Sequence, residues 1–119
     1  DFGEFALAVP WNLAYEEIDE YLNLDDFLSS AEREIFALRI KGDSMMNKHI
    51  FDGDLAIVKK QSLVEDGEIV AALIDNETTV KTMRKKNNKI YLEPANKNYS
   101  PIFKEFTIIG KVIATIKRH

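Results

Sequence analysis

A mainly β fold is what this sequence predicts: strongly bent antiparallel sheets or a small barrel-like β structure, carrying an extended N-terminal arm. Three observations lead there. From Ile35 onward turn signals recur at about 8–15-residue intervals, the runs between them alternate or are uniformly apolar, and helical periodicity is scarce. Few connections are long enough for parallel crossovers, which leaves antiparallel pairing.

The elements follow in order. Phe5-Ala6-Leu7-Ala8-Val9 is small and apolar with no helix cap, so residues 1–10 read as an extended arm able to serve as an edge strand or to lie in a groove. Tyr15 to Leu24 is acidic with interleaved Ile18, Tyr21, Leu22 and Leu24, compatible with a short helix or a strand. Asp25 to Glu34, with Ser29-Ser30-Ala31-Glu32, reads as a loop with room for a helical turn. Residues 1–24 are therefore assigned to arm and linker and 25–119 to one compact domain. In Ile35 to Ile40, Phe36, Leu38 and Ile40 alternate with Ala37 and Arg39, the pattern of a half-buried strand. Phe51-Asp52-Gly53-Asp54 predicts a turn, Leu55 to Val58 a short strand, and Glu65-Asp66-Gly67 a turn into a strand over Glu68 to Ile74. Asp75-Asn76 before Thr78 to Arg84 predicts a hairpin, and Lys85 to Asn88 turns into Lys89 to Leu92. A loop bounded by Pro94 and Pro101 precedes a long final strand, Phe106 to Lys117, in which Gly110 marks a bend. That strand is apolar on both faces, and an exposed apolar edge tends to find a partner, so a homodimer is expected.

With 119 residues the chain suffices for one core. A net charge of −4 argues against this segment gripping a nucleic-acid backbone unaided. The charge is uneven: residues 1–58 carry 13 acids and 4 bases, residues 59–119 carry 7 acids and 12 bases. Solvated surface is the default explanation, and docking of the acidic half on the basic half the sharper one. Without cysteine there is no disulfide frame, thiolate nucleophile or cysteine-based zinc site. No apolar run reaches the roughly 20 residues that span a bilayer, and no signal-peptide pattern opens the chain. Cytoplasmic location without membrane contact is the expectation, and neither a cofactor nor a metal is expected. His49, Asp52 and Asp54 lack convincing ligand spacing.

The chemistry concentrates at Lys41-Gly42-Asp43-Ser44-Met45, where a strand runs into a glycine turn that delivers a hydroxyl. A serine needs a base, and His49 and His119 have no triad-like surroundings. Lys81, inside Thr78-Thr79-Val80-Lys81-Thr82-Met83, is the better partner. Strand alternation puts it on one face with Thr79 and Met83. Neutralising a lysine of pKa about 10.4 at pH 7 costs roughly 4–5 kcal/mol in water. Burial lowers such a pKa by about 3–5 units, so the site has to be dry. Backbone N–H groups at Asp43 and Ser44 are the candidate oxyanion hole. Against this stands a turn-forming serine and a lysine that reaches the surface.

Phe36-Ala-Leu-Arg-Ile-Lys-Gly-Asp-Ser-Met45, Asp52-Gly-Asp54, Asp66-Gly-Glu-Ile-Val-Ala71, Thr79-Val-Lys81, Leu92-Glu-Pro-Ala-Asn96 with Tyr99-Ser-Pro-Ile102, and Ile109-Gly-Lys-Val112 occur in this order. Together they resemble the LexA/UmuD/phage-repressor family of self-cleaving serine peptidases, over about residues 3–117. The resemblance implies Ser44 as nucleophile and Lys81 as general base, with Met45, Thr79 and Met83 as neighbours. It implies cleavage of one bond in the chain's own arm, stimulated by a RecA filament, together with dimerisation. DNA would be bound only through an N-terminal domain absent from this sequence. Aligning Gly3-Glu4-Phe5 and Pro10 makes Leu7-Ala8 the scissile pair, with Ala6-Leu7 the alternative. The family has Ala-Gly or Cys-Gly there, so the leucine predicts slow cleavage. The function expected is the C-terminal domain of a self-inactivating transcriptional repressor in the DNA-damage response. The alternatives are a non-cleaving dimerisation module and a UmuD-like subunit of a translesion polymerase.

Overall fold

A computed structural model describes residues 8–10 and 35–117 of the chain. The elements expected over 15–34, the boundary between residues 24 and 25, and Ala6 and Leu7 of the candidate bonds lie outside the described residues.

Among the described residues seven strands form one antiparallel sheet: β1 (Ala8–Pro10), β2 (Ile35–Arg39), β3 (Leu55–Lys60), β4 (Ile69–Ile74), β5 (Glu77–Lys86), β6 (Lys89–Glu93) and β7 (Thr107–Ile116). Their spatial order is β1-β2-β3-β7-β4-β5-β6. The fold is mainly β as expected. The sheet stays open, with β1 and β6 at its two ends, rather than closing into a barrel.

The hairpins form where the turn chemistry demands them. Asp75 and Asn76 both take positive φ (49° and 68°) between β4 and β5, and Asn87 and Asn88 do the same (52° and 65°) between β5 and β6. Two left-handed residues in a two-residue loop match the right-handed twist of the flanking strands, and Asn and Asp tolerate that region best.

The core lies on both faces of the sheet. Phe36, Leu38, Ile40, Ala56, Val58, Ala71 and Val80 gather with Met45 and Ile50 in one cluster, while Val64, Val70, Ala72, Ile74, Met83 and Leu92 form a second. Ala37, Leu55 and Ile57 make a third. β2 is therefore covered on both sides at Phe36, Ala37 and Leu38, where its alternation predicted one solvated face.

β7 occupies the middle of the sheet, not an edge. Residues 110–116 pair with β3 and residues 107–111 pair with β4. The register shifts on each side give β7 one extra residue against β3 and one against β4. The stretch beyond Lys111 keeps its β4 side without a strand partner among the described residues, and there Ile113 is exposed.

An ion pair ties the start of β4 to β7. Glu68 accepts from the Lys111 ammonium and, through Oε1, from the Glu65 N–H at 2.6 Å. The Lys111 hydrogen bond and then the Glu65 backbone hold the Glu68 carboxyl below its ordinary value of 4.5. A depressed carboxyl contributes stability that is present above its unfolded pKa and lost as pH falls through its folded one. Glu68→Gln is thus expected to melt below the parent at pH 7, with the gap closing as pH drops below about 4.5. Melting temperature against pH for the two proteins checks this.

Candidate functional site

Ser44 sits in the turn that follows β2, and that turn is held from three directions. Ile40 N–H donates to Asp54 O and Gly53 N–H donates back to Ile40 O, both at 2.8 Å. These bonds carry the β2–β3 ladder one step past its end. Gly42, at φ 91°, then reverses the chain in a backbone region closed to most side chains, and its N–H donates to Asp52 Oδ1 at 2.8 Å. Beyond it a single 3-10 turn, Met46–Lys48, follows the serine.

The second hold comes from the loop after β6. Ala95 N–H donates to Ser44 O and Asn47 N–H to Ala95 O, each at 2.8 Å. Asn96 Nδ2 donates to Asp43 O at 2.9 Å, and the Tyr99 hydroxyl donates to Asp43 Oδ1 at 2.6 Å. The third comes from the end of β7. Lys117 Nζ lies 2.9 Å from Asp54 Oδ2, donates to His49 O, and stands 5.4 Å from the Phe51 ring centroid. Asp54 is buried, and its Oδ2 also accepts from Phe51 N–H at 2.9 Å.

Within this frame Ser44 is 1% exposed, and its Oγ is buried with no hydrogen-bond partner among the described residues. Lys81 is likewise 1% exposed. It lies on β5 opposite Val70 of β4, in a stretch where every residue from Thr78 to Met83 is buried. Its Nζ donates to Thr79 Oγ1 at 2.5 Å, the i, i+2 neighbour that strand alternation put on its face.

A backbone path and a shared core cluster connect the elements that carry the pair. Thr82, beside Lys81, pairs with Glu93 of β6, and two residues later Ala95 bonds to Ser44. Met45 and Val80, the chain neighbours of Ser44 and Lys81, belong to one core cluster. The expected neighbours divide accordingly: Thr79 holds the amine, Met45 packs beside the serine, and Met83 packs in the second cluster. Ser44 Oγ and Lys81 Nζ share no hydrogen bond among the described residues. Catalytic hydrogen bonds are often long until the substrate is seated.

Ala8, on the C-terminal side of the Leu7-Ala8 pair, opens β1 and pairs with Leu38. Because β1 runs antiparallel to β2, Ala8 lies toward the end of β2 from which the Ser44 turn departs. Asp54, Lys117, Asn96 and Tyr99 escaped assignment in the sequence because their partners are 53 to 68 residues away. The only signal for Asn96 and Tyr99 was their place in a run of motif residues.

A groove of about 900 Å³ lies elsewhere, between Ser62–Val64, the β4–β5 turn and Phe103–Ile108. Neither Ser44 nor Lys81 lines it. Among the described residues no three His, Asp or Glu side chains gather as a metal site, and no helix is long and apolar enough to cross a membrane.

Comparison with known proteins identifies the family. The chain matches the family described as Peptidase S24-like over residues 3–113. It is 48% identical over 107 residues to a LexA repressor of Caldicellulosiruptor saccharolyticus, covering 89% of this chain and 52% of that one. It is 47% identical over 112 residues to the LexA repressor of Leptospira biflexa (93% and 54%). A third, from Carboxydothermus hydrogenoformans, is 45% identical over 121 residues (98% and 58%). The chain thus spans about half the length of the curated relatives it matches.

Proposed function

We infer, from the premise that the chain belongs to the Peptidase S24-like family, that Ser44 and Lys81 form a serine-lysine dyad that cuts this chain's own arm. The chain is then the C-terminal part of a LexA-like repressor that inactivates itself. The observation that carries the reading is the pair of buried groups. Ser44 Oγ makes no hydrogen bond among the described residues, and the Lys81 amine is withdrawn from water. An unsatisfied buried hydroxyl costs about 1–3 kcal/mol, and such groups persist where chemistry uses them.

In the reaction, Lys81 Nζ in its neutral form takes the Ser44 proton as Oγ attacks the carbonyl carbon of the scissile bond. The Asp43 and Ser44 N–H groups, which make no backbone hydrogen bond among the described residues, face the oxyanion. The C–N bond breaks, Lys81 returns the proton to the leaving amine, and water then hydrolyses the acyl-serine with Lys81 again as base. The bond is Leu7-Ala8, or Ala6-Leu7 one residue earlier. A substrate that is part of the same chain needs no small-molecule pocket, which accounts for the groove lying elsewhere.

The test is incubation of the purified chain at pH about 9–10, where more of the amine is neutral, followed by intact mass. Two fragments summing to the chain plus one water are expected, and neither is expected from Ser44→Ala or Lys81→Ala. An intact mass that persists for days, activated RecA filament included, would leave the non-cleaving dimerisation module.

Dimerisation belongs to both readings and is supported by the half of β7 beyond Lys111, where one strand edge has no partner among the described residues. Ile113, 48% exposed, is the apolar side chain there. Ile113→Asp is expected to weaken self-association at least about tenfold, since burying an uncompensated carboxylate costs more than 1.4 kcal/mol. Sedimentation equilibrium measures it. The relatives are named as repressors, which supports a repressor over a polymerase subunit. Cytoplasmic location, response to a RecA filament and DNA binding through a separate N-terminal domain complete the proposal.

A further inference from the structure

Asp43 O is the acceptor on which the loop after β6 closes. It takes the Asn96 Nδ2–H at 2.9 Å and the Met46 N–H at 3.2 Å. In a planar trans peptide the carbonyl and the following N–H point to opposite sides. Whatever fixes the direction of Asp43 C=O therefore fixes the direction of Ser44 N–H. That N–H makes no backbone hydrogen bond among the described residues.

Asn96 is well suited to set that direction. It is 6% exposed, and its amide has no freedom to flip, because Oδ1 accepts from Asn98 N–H at 2.9 Å and thereby turns Nδ2 toward Asp43. Its own carbonyl accepts from Tyr99 N–H at 3.0 Å, which brings the Tyr99 hydroxyl to Asp43 Oδ1. One tight turn thus supplies two donors to one residue, 53 and 56 positions earlier in the chain.

We propose that Asn96, assisted by Tyr99, is a positioning residue for self-cleavage: it aims the Asp43–Ser44 peptide so that Ser44 N–H meets the oxyanion. The inference rests on the dyad reading above and adds to it a role that acts on oxyanion stabilisation and not on the base. A plain turn-former needs only the Oδ1 acceptor; aiming the peptide needs the Nδ2 donor. The two roles separate in Asn96→Asp, which keeps the acceptor and lacks the donor.

The experiment measures first-order self-cleavage of the full chain between pH about 7 and 10.5 for the parent, Asn96→Asp, Asn96→Ala and Tyr99→Phe, with melting temperatures taken alongside. Removing an oxyanion donor outright costs about 10²–10³ in rate. Since Met46 N–H still holds the carbonyl, Asn96→Asp is expected to lose at least about tenfold. Asn96→Ala is expected to match it, Tyr99→Phe to lose about threefold, and the midpoint of the pH–rate curve to stay at the parent's value in all three. Asn96→Asp cleaving at the parent rate, or a displaced midpoint, overturns the proposal. Should Asn96→Asp not fold at the assay temperature, Tyr99→Phe decides: the threefold loss at an unchanged midpoint supports it and the parent rate overturns it. A parent that never cuts overturns the dyad reading and this inference with it. A parent whose cut needs Ser44 and Lys81, beside an unimpaired Asn96→Asp, overturns this inference alone.

Discussion

Lys81→Met is expected to abolish self-cleavage while leaving the melting temperature within a few degrees of the parent. Methionine is as flexible as lysine and only one atom shorter, so the fully covered site keeps most of its packing. The substitution loses the bond to Thr79 Oγ1, worth about 1 kcal/mol net. It gains relief from keeping an ionisable amine in a water-poor site, a term of the opposite sign and at least similar size. The two nearly cancel, so the stability change falls within about 1 kcal/mol either way. The rate has no such compensation. With no base to take the Ser44 proton, at least about 10²–10⁴-fold of general-base catalysis goes. Rate measured by fragment appearance and stability by thermal melting read the two separately. A lysine kept only for structure would show the reverse, a large loss of stability with cleavage intact.

The second large effect is on the fold. Gly110→Ala would put a Cβ 2.3 Å from Lys59 O, 2.7 Å from Val58 Cγ1 and 2.9 Å from Lys59 C. Two of these are backbone atoms of β3, paired to β7 at that position, so no rotamer change relieves the clash. Gly110 also faces Ala71 of β4, and the strands have to separate on a line through the middle of the sheet. Overpacking of this kind costs about 3 kcal/mol, or roughly 10 °C in a chain of this size. Gly67→Ala makes the contrast. Nothing lies within 4 Å of its Cβ, and the cost is the positive φ of 91° alone, about 1–2 kcal/mol. Melting curves should rank Gly110→Ala clearly below Gly67→Ala, and the opposite order would mean that β7 does not run where the register puts it.

Local chemistry was legible in the sequence and long-range pairing was not. Asp75-Asn76 and Asn87-Asn88 announce their hairpins because a two-residue loop requires left-handed residues and few side chains accept that conformation. The strand expected over Leu55 to Val58 runs on through Lys59 and Lys60, its exposed end, paired with Lys111 and Gly110. Two lysines look alike in a turn and at the wet end of a strand. The position of β7 between β3 and β4 was hidden for a different reason. Its apolar character on both faces fits an edge in a dimer as well as a strand covered on each side, and only the pairing partners tell them apart. At the site, Ser44 and Lys81 stood out by motif and Thr79 by alternation. The clamp on the serine turn did not, because Asn96 with Asp43 and Lys117 with Asp54 are contacts between distant parts of the chain.

The most direct test follows the Lys81 amine itself. With lysine side chains labelled at Cε and Nζ, the Lys81 resonance is titrated in Ser44→Ala, which stays intact, and compared with the pH–rate curve of the parent. A Lys81 midpoint clearly below the ordinary lysine value of about 10.4, coincident with the midpoint of the rate, is expected. A Lys81 that titrates with the surface lysines, while cleavage follows some other midpoint, would contradict its role as base.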